Sequence, residues 1–444
     1  MGVLAIGSTN PKLSYVLSKN PATILESKKP FIREVRKGAA YGWFNADASE
    51  FKLWFRDHPT ESSFADGALG EFEYLDRTRY ASPYLPIALM ASCLDTALKK
   101  PQEDDVYGFE AYIKTVIKVS NSRFHQSLTK HYAGIATIES KIIYGSFCEV
   151  TIKAPRIYTV LNVLQIVCLM QCLCDDDTYV RMDLATIEKY IRCLNAVDAP
   201  YFVRYIFSTR AISDRNTFKK LESKLTGAGM KINFGNTRQQ RFDFISKELT
   251  GGETLIDIGC GEMFYSLRMC GKYENVFAVD GDVELSEINQ GKVTKRQIEN
   301  ITVIAEMATP EWVKDNESMF ENADVLLTEV IEHMPLDSAK ALIEAILNTK
   351  CRTLLVTTPN KDFNQYYGLT EEETRHDDHH WELGFDDYCN WIKGITENFK
   401  HKGGGAITTC VGDTVNGISS TSVTTFYPKD EVGTLDTHLV AEAA

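Results

Sequence analysis

Short apolar segments alternate with amphipathic ones along the second half of the chain, and this alternation constrains the fold more than any other feature of the sequence. Strands are predicted at residues 254–258, 276–280, 301–305, 323–328 and 353–357, with helices at 264–270 and 339–348. Strands that alternate with helices form a mostly parallel sheet covered on both faces. Two further segments, 406–411 and 421–426, are expected to close one edge as an antiparallel pair. The second half is therefore predicted to be an α/β domain with a doubly wound, mostly parallel sheet of seven strands.

The first half has the mixed pattern of an α+β domain. Strand-like stretches rich in aromatic and β-branched residues lie at 31–35, 51–55 and 142–152, and helical patterns lie at 85–98, 161–172 and 184–194. The sequence DDDTY at 175–179 separates the last two helices and is a candidate cap for the second. A charge run followed by glycines at 219–236 is interpreted as a linker. Two domains are therefore expected, with bounds 1–225 and 226–444.

The longest apolar run, residues 160–174, is shorter than the roughly 20 residues needed to cross a bilayer. It also contains Asn162, Gln165 and Gln171, so it is predicted to be a buried helix, and no membrane partner is expected. The first residues lack the basic and apolar regions of a signal peptide. The eleven cysteines are accordingly expected to be reduced and largely buried in a cytoplasmic protein.

Charge is unevenly distributed between the two halves. Residues 231–444 hold 19 basic and 36 acidic side chains, whereas residues 1–230 hold 29 and 25. A domain with an excess of acidic residues is a poor general binder of nucleic acid, because contacts with phosphates require basic side chains. A polyanion bound there would need a local basic patch, a metal ion or the other half of the chain.

The first strand of the second half runs into LIDIGCGE at 255–262, with Asp257, Gly259 and Gly261 in the pattern D-x-G-x-G. Glycines at such a turn let the backbone approach a ligand at the end of a parallel strand. The next strand ends at Asp280, where a carboxylate can accept hydrogen bonds from both hydroxyls of an adenosine ribose. Glu262 would repel a pyrophosphate and Asp257 suits a cationic amino group, so S-adenosylmethionine is favoured over a dinucleotide. The pattern resembles the Rossmann-like S-adenosylmethionine-dependent methyltransferases, with a dinucleotide oxidoreductase as the alternative.

A second group of polar residues follows the strand at 323–328. The segment TEVIEHMP places Glu329, Glu332 and His333 in the order E-x-x-E-H. By itself this junction also fits a metal-independent small-molecule O-methyltransferase, in which such residues cap a helix and shape the pocket. The segment TRHDDHHWE at 374–382 adds His379 and His380 after the next strand. Loops after neighbouring parallel strands open on one edge of the sheet, and two carboxylates with two imidazoles suit Mg²⁺ or Mn²⁺.

The two motifs, E-V-I-E-H and R-H-x-D-H-x-W-E, together resemble the signature of the small-RNA 3′-terminal 2′-O-methyltransferases, which pairs E-x-x-E-H with a later R-x-x-D-H-x-F-E-W. TTPNKDFN at 357–364 matches the family's T-T-P-N motif, and LSYVLSKNP at 13–21 resembles the N-terminal region of its bacterial members. Trp381 replaces the usual Phe and Leu383 replaces the usual Trp, so the packing beneath this loop is expected to differ. Arg375 is expected either to contact a phosphate or to brace the loop.

The resemblance implies transfer of a methyl group from S-adenosylmethionine to the 2′-hydroxyl of the 3′-terminal nucleotide of RNA, typically a repaired tRNA. It implies Mg²⁺ or Mn²⁺ ligated by Glu329, Glu332, His333 and His379, with His333 or His380 as the general base. It also implies that residues 1–225 bind a bacterial polynucleotide kinase-phosphatase and support its RNA ligase activity. An assembly factor with a vestigial methyltransferase half is a further alternative, against which the intact cofactor and ligand residues argue.

Overall fold

The chain is represented by a computed structural model, which describes residues 2–20, 30–35, 38–57, 80–120, 122–174, 182–399 and 404–428. It contains two compact units, Met1–Gly227 and Ala228–Ala444. The predicted linker at 219–236 is wrong in its first part, because the helix Arg215–Leu225 runs into it. The Asp214 carboxylate caps that helix by accepting a hydrogen bond from the Thr217 N–H.

An antiparallel sheet of seven strands forms the framework of the first unit. Its strands are β1 Gly2–Ser8, β2 Phe31–Val35, β3 Gly38–Phe44, β4 Glu50–Asp57, β5 Ala111–Lys118, β6 Thr137–Tyr144 and β7 Phe147–Ala154. They lie in the order β2-β3-β4-β1-β5-β7-β6. The predicted strands at 31–35 and 51–55 are confirmed, whereas 142–152 is the end of a β6–β7 hairpin rather than one strand. The hairpin turns at Gly145, whose φ of +53° suits glycine.

Helices cover this sheet and form the core of the first unit. They are α1 Leu13–Val16, α2 Tyr84–Cys93, α3 Asp95–Lys99, α4 Ser122–Tyr132, α5 Ile157–Cys174, α6 Leu184–Ala196, α7 Tyr201–Ala211 and α8 Arg215–Leu225. The helix predicted at 85–98 is interrupted at Leu94, which separates α2 from α3. The candidate cap DDDTY lies outside the described residues, and α6 is capped by Asp183 instead.

Helix α5 is the buried helix expected from the apolar run at 160–174. Among the described residues it is the one helix with the length and apolar composition of a membrane span, but 78% of it is buried inside the protein. Two of its polar residues have partners within the unit: the Asn162 side chain donates to the Leu98 carbonyl oxygen at 3.3 Å and Gln171 accepts from the Ser120 N–H at 2.9 Å. The prediction of a core helix is confirmed.

The second unit contains the predicted, mostly parallel sheet. Its strands are β8 Met230–Lys231, β9 Gly252–Ile258, β10 Tyr273–Val279, β11 Ile301–Ile304, β12 Ala323–Thr328, β13 Thr353–Pro359, β14 Gly405–Val415 and β15 Ile418–Tyr427. They lie in the order β11-β10-β9-β12-β13-β15-β14-β8, with the first five parallel and the last three antiparallel. The two-residue strand β8 adds an eighth strand to the seven that the sequence predicts.

The helices of this unit pack on both faces of the sheet. They are α9 Thr237–Glu248, α10 Ser266–Met269, α11 Val283–Arg296, α12 Pro310–Asp315, α13 Leu336–Leu347 and α14 Phe385–Phe399, with short 3-10 turns at Cys270–Lys272, Glu317–Phe320, Ile331–His333 and Lys361–Tyr367. All six residues of β12 are buried. Successive side chains of β12 enter opposite cores, since Leu327 packs in the cluster that contains Leu342 and Leu326 in the cluster that contains Ile245.

The carboxyl ends of the central strands meet at one edge of the sheet. Ile258 of β9 pairs with Val279 of β10 and with Leu327 of β12, and Thr328 of β12 pairs with Thr357 of β13. The residues that follow these strands therefore lie side by side, in the place where open α/β sheets bind their ligands.

Candidate active site

Asp257, the second-last residue of β9, is fully buried and faces the start of the next helix. Its Oδ2 accepts hydrogen bonds from the Ser266 N–H at 3.1 Å and from the Ser266 hydroxyl at 2.5 Å. Its Oδ1 has no hydrogen-bond partner among the described residues. Burial raises the pKa of Asp257 to about 6, although the hydrogen bonds from Ser266 work in the opposite direction.

The loop after β9 has the tight, left-handed backbone that its glycines predict. Gly259 has φ of +66° and Gly261 has φ of +51°. A Cβ at Gly259 would lie 2.5 Å from a methyl group of Val330, so both the backbone and the space require glycine there. Met263 adopts the same left-handed conformation, with φ of +60°, and its side chain is fully buried. The buried methionine stabilises a turn that its own backbone preference disfavours.

Asp280 follows β10 and holds the loop in place. Its Oδ2 accepts from the Gly261 N–H at 2.8 Å, and its Oδ1 accepts from the Asp282 N–H at 3.0 Å. Each carboxylate oxygen has a second lone pair. The structure therefore brings the four predicted cofactor-binding residues, Asp257, Gly259, Gly261 and Asp280, to one edge of the sheet.

Glu329 follows β12 in a strained conformation, with φ of +55°. Its N–H donates to the Thr357 carbonyl oxygen at 3.0 Å, and its Oε1 accepts from the Thr357 hydroxyl at 3.0 Å. Its Oε2 forms an ion pair with Arg241 Nη1 of α9 at 3.0 Å. Arg241 also donates from Nε to the Tyr265 hydroxyl at 3.3 Å. Burial by itself would lower the pKa of Arg241, but the charge of Glu329, the contacts with Tyr265 and the charge of Glu332 together outweigh it and the pKa is raised.

Glu332 is the most deeply buried acid of the E-x-x-E-H segment. Its side chain is fully inaccessible, and its Oε2 accepts from the Thr358 hydroxyl at 3.1 Å. Its Oε1 has no hydrogen-bond partner in the described part of the chain. Burial, with a smaller contribution from the nearby charge of Glu329, raises its pKa well above the usual value of a glutamate. A buried, unpartnered carboxylate oxygen is unfavourable unless a cation or a proton satisfies it.

The structure brings two histidines to Glu332. One potential ligand atom from each of Glu332, His333 and His379 lies within 4.8 Å of the others. The His333 and His379 rings are 4.7 Å apart and nearly perpendicular. His333 Nδ1 lies 3.1 Å from Asp378 Oδ2, which leaves Nε2 as its other ligand atom. Burial lowers the pKa of His333, so the neutral imidazole that a metal requires is favoured.

Glu382 is a functional candidate that sequence reasoning did not assign. It is buried, and its Oε1 lies 2.5 Å from Nδ1 of His379, so Nε2 of His379 is the atom left for a metal. Its Oε2 accepts from the Asn364 side chain at 2.5 Å, which fixes the carboxylate. A carboxylate that orients a ligating histidine is a common second partner in metal sites. The signal was available, because Glu382 lies three residues after His379.

The four predicted metal ligands are thus only partly assembled. Glu329 lies beside the group of Glu332, His333 and His379 but outside it, because its carboxylate is held by Arg241 and Thr357. His380 contributes its backbone N–H, which donates to the Glu332 carbonyl oxygen at 2.8 Å, while its side chain is exposed.

The segment with the R-H-x-D-H-x-W-E motif, residues 375–382, is held in place by contacts within the second unit. Arg375 donates from Nε to Asn364 Oδ1 at 2.7 Å and from Nη2 to the Asn360 carbonyl oxygen at 2.6 Å, so it braces the loop. The substituted Trp381 donates to the Met334 carbonyl oxygen at 2.8 Å and packs 5.6 Å from Trp391. The tryptophan therefore connects this loop both to the E-x-x-E-H segment and to α14.

Comparisons with known proteins agree with this architecture. The family model described as the Hen1 N-terminal domain matches residues 3–229, just over half of the chain. A chain of the Pnkp1/Rnl/Hen1 RNA repair complex has the same fold, with a TM-score of 0.76 at 22% identity, covering 96% of this chain and 100% of that one. A second structure of the Pnkp1/Rnl/Hen1 complex gives a TM-score of 0.74 at 23% identity, with the same coverage of both chains. The predicted fold, an α+β domain before a Rossmann-like methyltransferase domain, is confirmed.

Two curated relatives match a smaller part of the chain. A small RNA 2′-O-methyltransferase of Caenorhabditis elegans is 30% identical over 159 residues, which are 32% of this chain and 36% of that protein. The Drosophila melanogaster small RNA 2′-O-methyltransferase is 27% identical over 157 residues, 33% of this chain and 40% of that protein. This chain thus spans less than half the length of these relatives. Because the N-terminal match extends over half of its residues, the chain belongs to the family defined by the Hen1 N-terminal domain.

Proposed function

We propose that the second unit transfers a methyl group from S-adenosylmethionine to the 2′-hydroxyl of the 3′-terminal nucleotide of RNA, in a reaction that depends on Mg²⁺ or Mn²⁺. The observation that carries the proposal is the meeting of Glu332, His333 and His379 beyond the end of β12, which pairs with the strand that leads into the D-x-G-x-G loop. The curated relatives are named for 2′-O-methylation of small RNA, which supports this substrate class. A metal-independent small-molecule methyltransferase would not need this group.

The residues present suit both bound groups. Asp257 Oδ1 and Glu332 Oε1 are buried oxygens without a hydrogen-bond partner in the described ranges of the chain, and a cationic ligand and a metal would satisfy them. Mg²⁺ or Mn²⁺ would be held by Glu332, His333 and His379, joined by Glu329 once its carboxylate leaves Arg241. A divalent cation there would polarise the hydroxyls of a terminal ribose and favour loss of the 2′ proton.

The chain's own residues prepare this chemistry. Glu382 holds His379 in one orientation, and Arg241 offsets the charge of Glu329 beside the buried Glu332. His333 cannot ligate through Nε2 and also accept the proton there, and its Nδ1 faces Asp378. We therefore propose the exposed His380 as the proton acceptor.

The test of this function uses two RNAs that differ at one atom. The full chain with Mn²⁺ and labelled S-adenosylmethionine is expected to label RNA that ends in 2′- and 3′-hydroxyls, and not the same RNA with a 2′-deoxy terminal sugar. A chelator should remove the labelling and added Mn²⁺ should restore it. Equal labelling of both RNAs, or labelling that survives the chelator, would rule out the metal-dependent terminal mechanism.

Binding of S-adenosylmethionine is expected to weaken as the pH falls through about 6. The ionised Asp257 attracts the cationic cofactor, and protonation below its pKa of about 6 removes that charge. Since the group is ionised above its pKa, affinity is highest above pH 6 and declines by up to about tenfold per pH unit below it. Calorimetric titration of the full chain between pH 5 and pH 8 measures this, and Asp257→Asn should show a flat profile. A wild-type affinity independent of pH would refute the role.

We also propose that the first unit binds the kinase-phosphatase and ligase of an RNA repair system, and that the RNA substrate is a repaired tRNA. The related chain comes from a Pnkp1/Rnl/Hen1 RNA repair complex, which supports this assignment. The tip of the β6–β7 hairpin exposes Ile142, Ile143 and Tyr144, with 71%, 57% and 74% of each accessible. Exposed apolar groups of this kind mark protein interfaces. Co-purification of the full chain with such a ligase, lost on Ile142→Asp/Tyr144→Asp, would test the contact.

A further inference from the structure

A pocket of about 500 Å³ lies in the second unit, next to the cofactor loop. It is lined by Glu262, Phe264, Leu267, Arg268, Lys292 and Arg296. Arg238 of α9 reaches the same place, since its Nη1 lies 3.4 Å from Glu262 Oε2 and its guanidinium lies over the Phe264 ring. Four of the 19 basic residues of the acidic second half thus surround one pocket.

The guanidinium groups in this pocket are held by an aromatic ring. The Arg268 guanidinium lies 3.8 Å from the centre of the Phe264 ring, and that of Arg238 lies 5.3 Å from it. Stacking fixes a guanidinium plane without using its N–H donors. Arg268 uses one donor on the Phe264 carbonyl oxygen, and an arginine has five. The remaining donors of both groups are available to a phosphate.

The pocket lies beside the candidate active site but does not share its residues. None of Asp257, Gly259, Gly261 or Asp280 lines it, yet Glu262 directly follows Gly261, whose carbonyl oxygen accepts from the Asn289 side chain of α11 at 2.6 Å. Helix α9 spans both places, because Arg238 reaches the pocket and Arg241, one helical turn later, pairs with Glu329. An RNA strand whose 3′ end reaches the group of Glu332, His333 and His379 would pass this pocket.

We propose that this pocket binds the phosphate backbone of the RNA strand upstream of its 3′-terminal nucleotide, an inference that rests on the proposed function. The surrounding domain is acidic, and this pocket, in which four basic side chains outnumber Glu262, is a local basic patch of the kind that a polyanion needs there. Lys292 and Arg296 of α11 contribute charge from one side, and Arg238 and Arg268, fixed on Phe264, contribute it from the other. The pocket reads no base, so it accepts RNA of any sequence.

The test compares Arg268→Glu/Arg296→Glu with a control pair of equal charge change, Lys314→Glu/Lys350→Glu, all in the full chain. Lys314 and Lys350 are exposed and lie outside the pocket. The substrates are a single-stranded RNA of about 20 nucleotides and a dinucleotide with the same 3′ end. The pocket variant should raise KM for the long RNA at least about tenfold, with kcat retained, and lower the salt dependence of log KM by about 1.4, or about 0.7 for each lost phosphate contact. Phe264→Leu, which removes the ring without changing charge, should raise KM less.

The outcomes separate this proposal from the function on which it rests. A long-RNA KM that matches the control pair, or a KM for wild type that is the same for both RNAs, would overturn the pocket while leaving methyl transfer intact. If the pocket variant lost affinity for S-adenosylmethionine by the same factor as it lost affinity for the long RNA, the pocket would belong to the cofactor site. That result would also overturn the proposal. Loss of a protein partner at unchanged RNA KM would assign it to a protein contact instead. Failure of wild type to label either RNA would overturn the proposed function.

Discussion

Glu332→Ala is expected to abolish methyl transfer, lowering kcat/KM by about a thousandfold or more, the scale found when a charge-stabilising group is removed from an active site. Glu332 is the fully buried carboxylate among the proposed metal ligands, and its Oε1 has no hydrogen-bond partner among the described residues, which suits a cation. Labelled methyl transfer to RNA with 2′- and 3′-hydroxyls measures the rate. Titration with Mn²⁺ should show that binding of the metal is lost in parallel.

Two further variants, one with no expected effect and one with an intermediate effect, serve as comparisons for Glu332→Ala. Glu321→Ala changes an exposed glutamate that pairs with Lys350, and it should leave the rate near that of wild type. Glu382→Gln should weaken Mn²⁺ binding by about 10- to 100-fold, the usual effect of removing the partner that orients a ligand. Its affinity for S-adenosylmethionine should be retained. If Glu332→Ala kept wild-type activity, or bound Mn²⁺ as wild type does, the metal site would lie elsewhere.

Arg241→Met is expected to destabilise the second unit by about 3–5 kcal/mol, the usual result of removing one partner of a buried ion pair. Arg241 is almost completely buried and pairs with Glu329, which lies near the buried Glu332. Without the guanidinium, two carboxylates would share a largely inaccessible site without a counter-charge. Calorimetry of the full chain can follow the thermal transition of the second unit.

The double variant Arg241→Met/Glu329→Gln should recover most of this loss, because the remaining carboxylate then lacks its repulsive neighbour. Mn²⁺ should also stabilise Arg241→Met more than it stabilises wild type, since a bound cation replaces the missing charge. A loss of less than about 1 kcal/mol in Arg241→Met would mean that water already screens the pair.

The strands were predictable where a run of apolar residues ends at polar ones. Residues 323–328 form a strand with the predicted bounds, because such a run leaves only one stretch that can be buried. Residues 31–35 also form a strand with the predicted bounds, but it is mostly exposed, and the signal there was its aromatic and β-branched residues. The hairpin within 142–152 was missed because apolar residues flank Gly145 on both sides and hide the turn. The interruption at Leu94 was missed because the helical pattern continues through it.

The residues of the candidate site likewise include some whose positions the sequence predicts and some whose positions it does not. Asp257, Gly259, Gly261 and Asp280 were predictable, because the end of a parallel strand determines where each one lies. The pairing of Arg241 with Glu329 was not, because the two residues are far apart in sequence and only the packing of α9 against the sheet brings them together. Tertiary contacts of this kind leave no local periodicity to detect.

The two-residue strand β8 has a consequence for the order in which the second unit can be completed. Met230 and Lys231 pair with Val415 and Thr414, and the Asn233 N–H donates to Asp413 Oδ1 at 2.7 Å. The beginning of the unit is therefore joined to residues that the ribosome adds 180 positions later. Until the β14–β15 hairpin emerges, β13 has an unpaired edge that can pair with another nascent chain. Refolding and expression of this protein should consequently be limited by closure of this distant contact, and truncation within the hairpin should yield aggregates rather than a smaller folded domain.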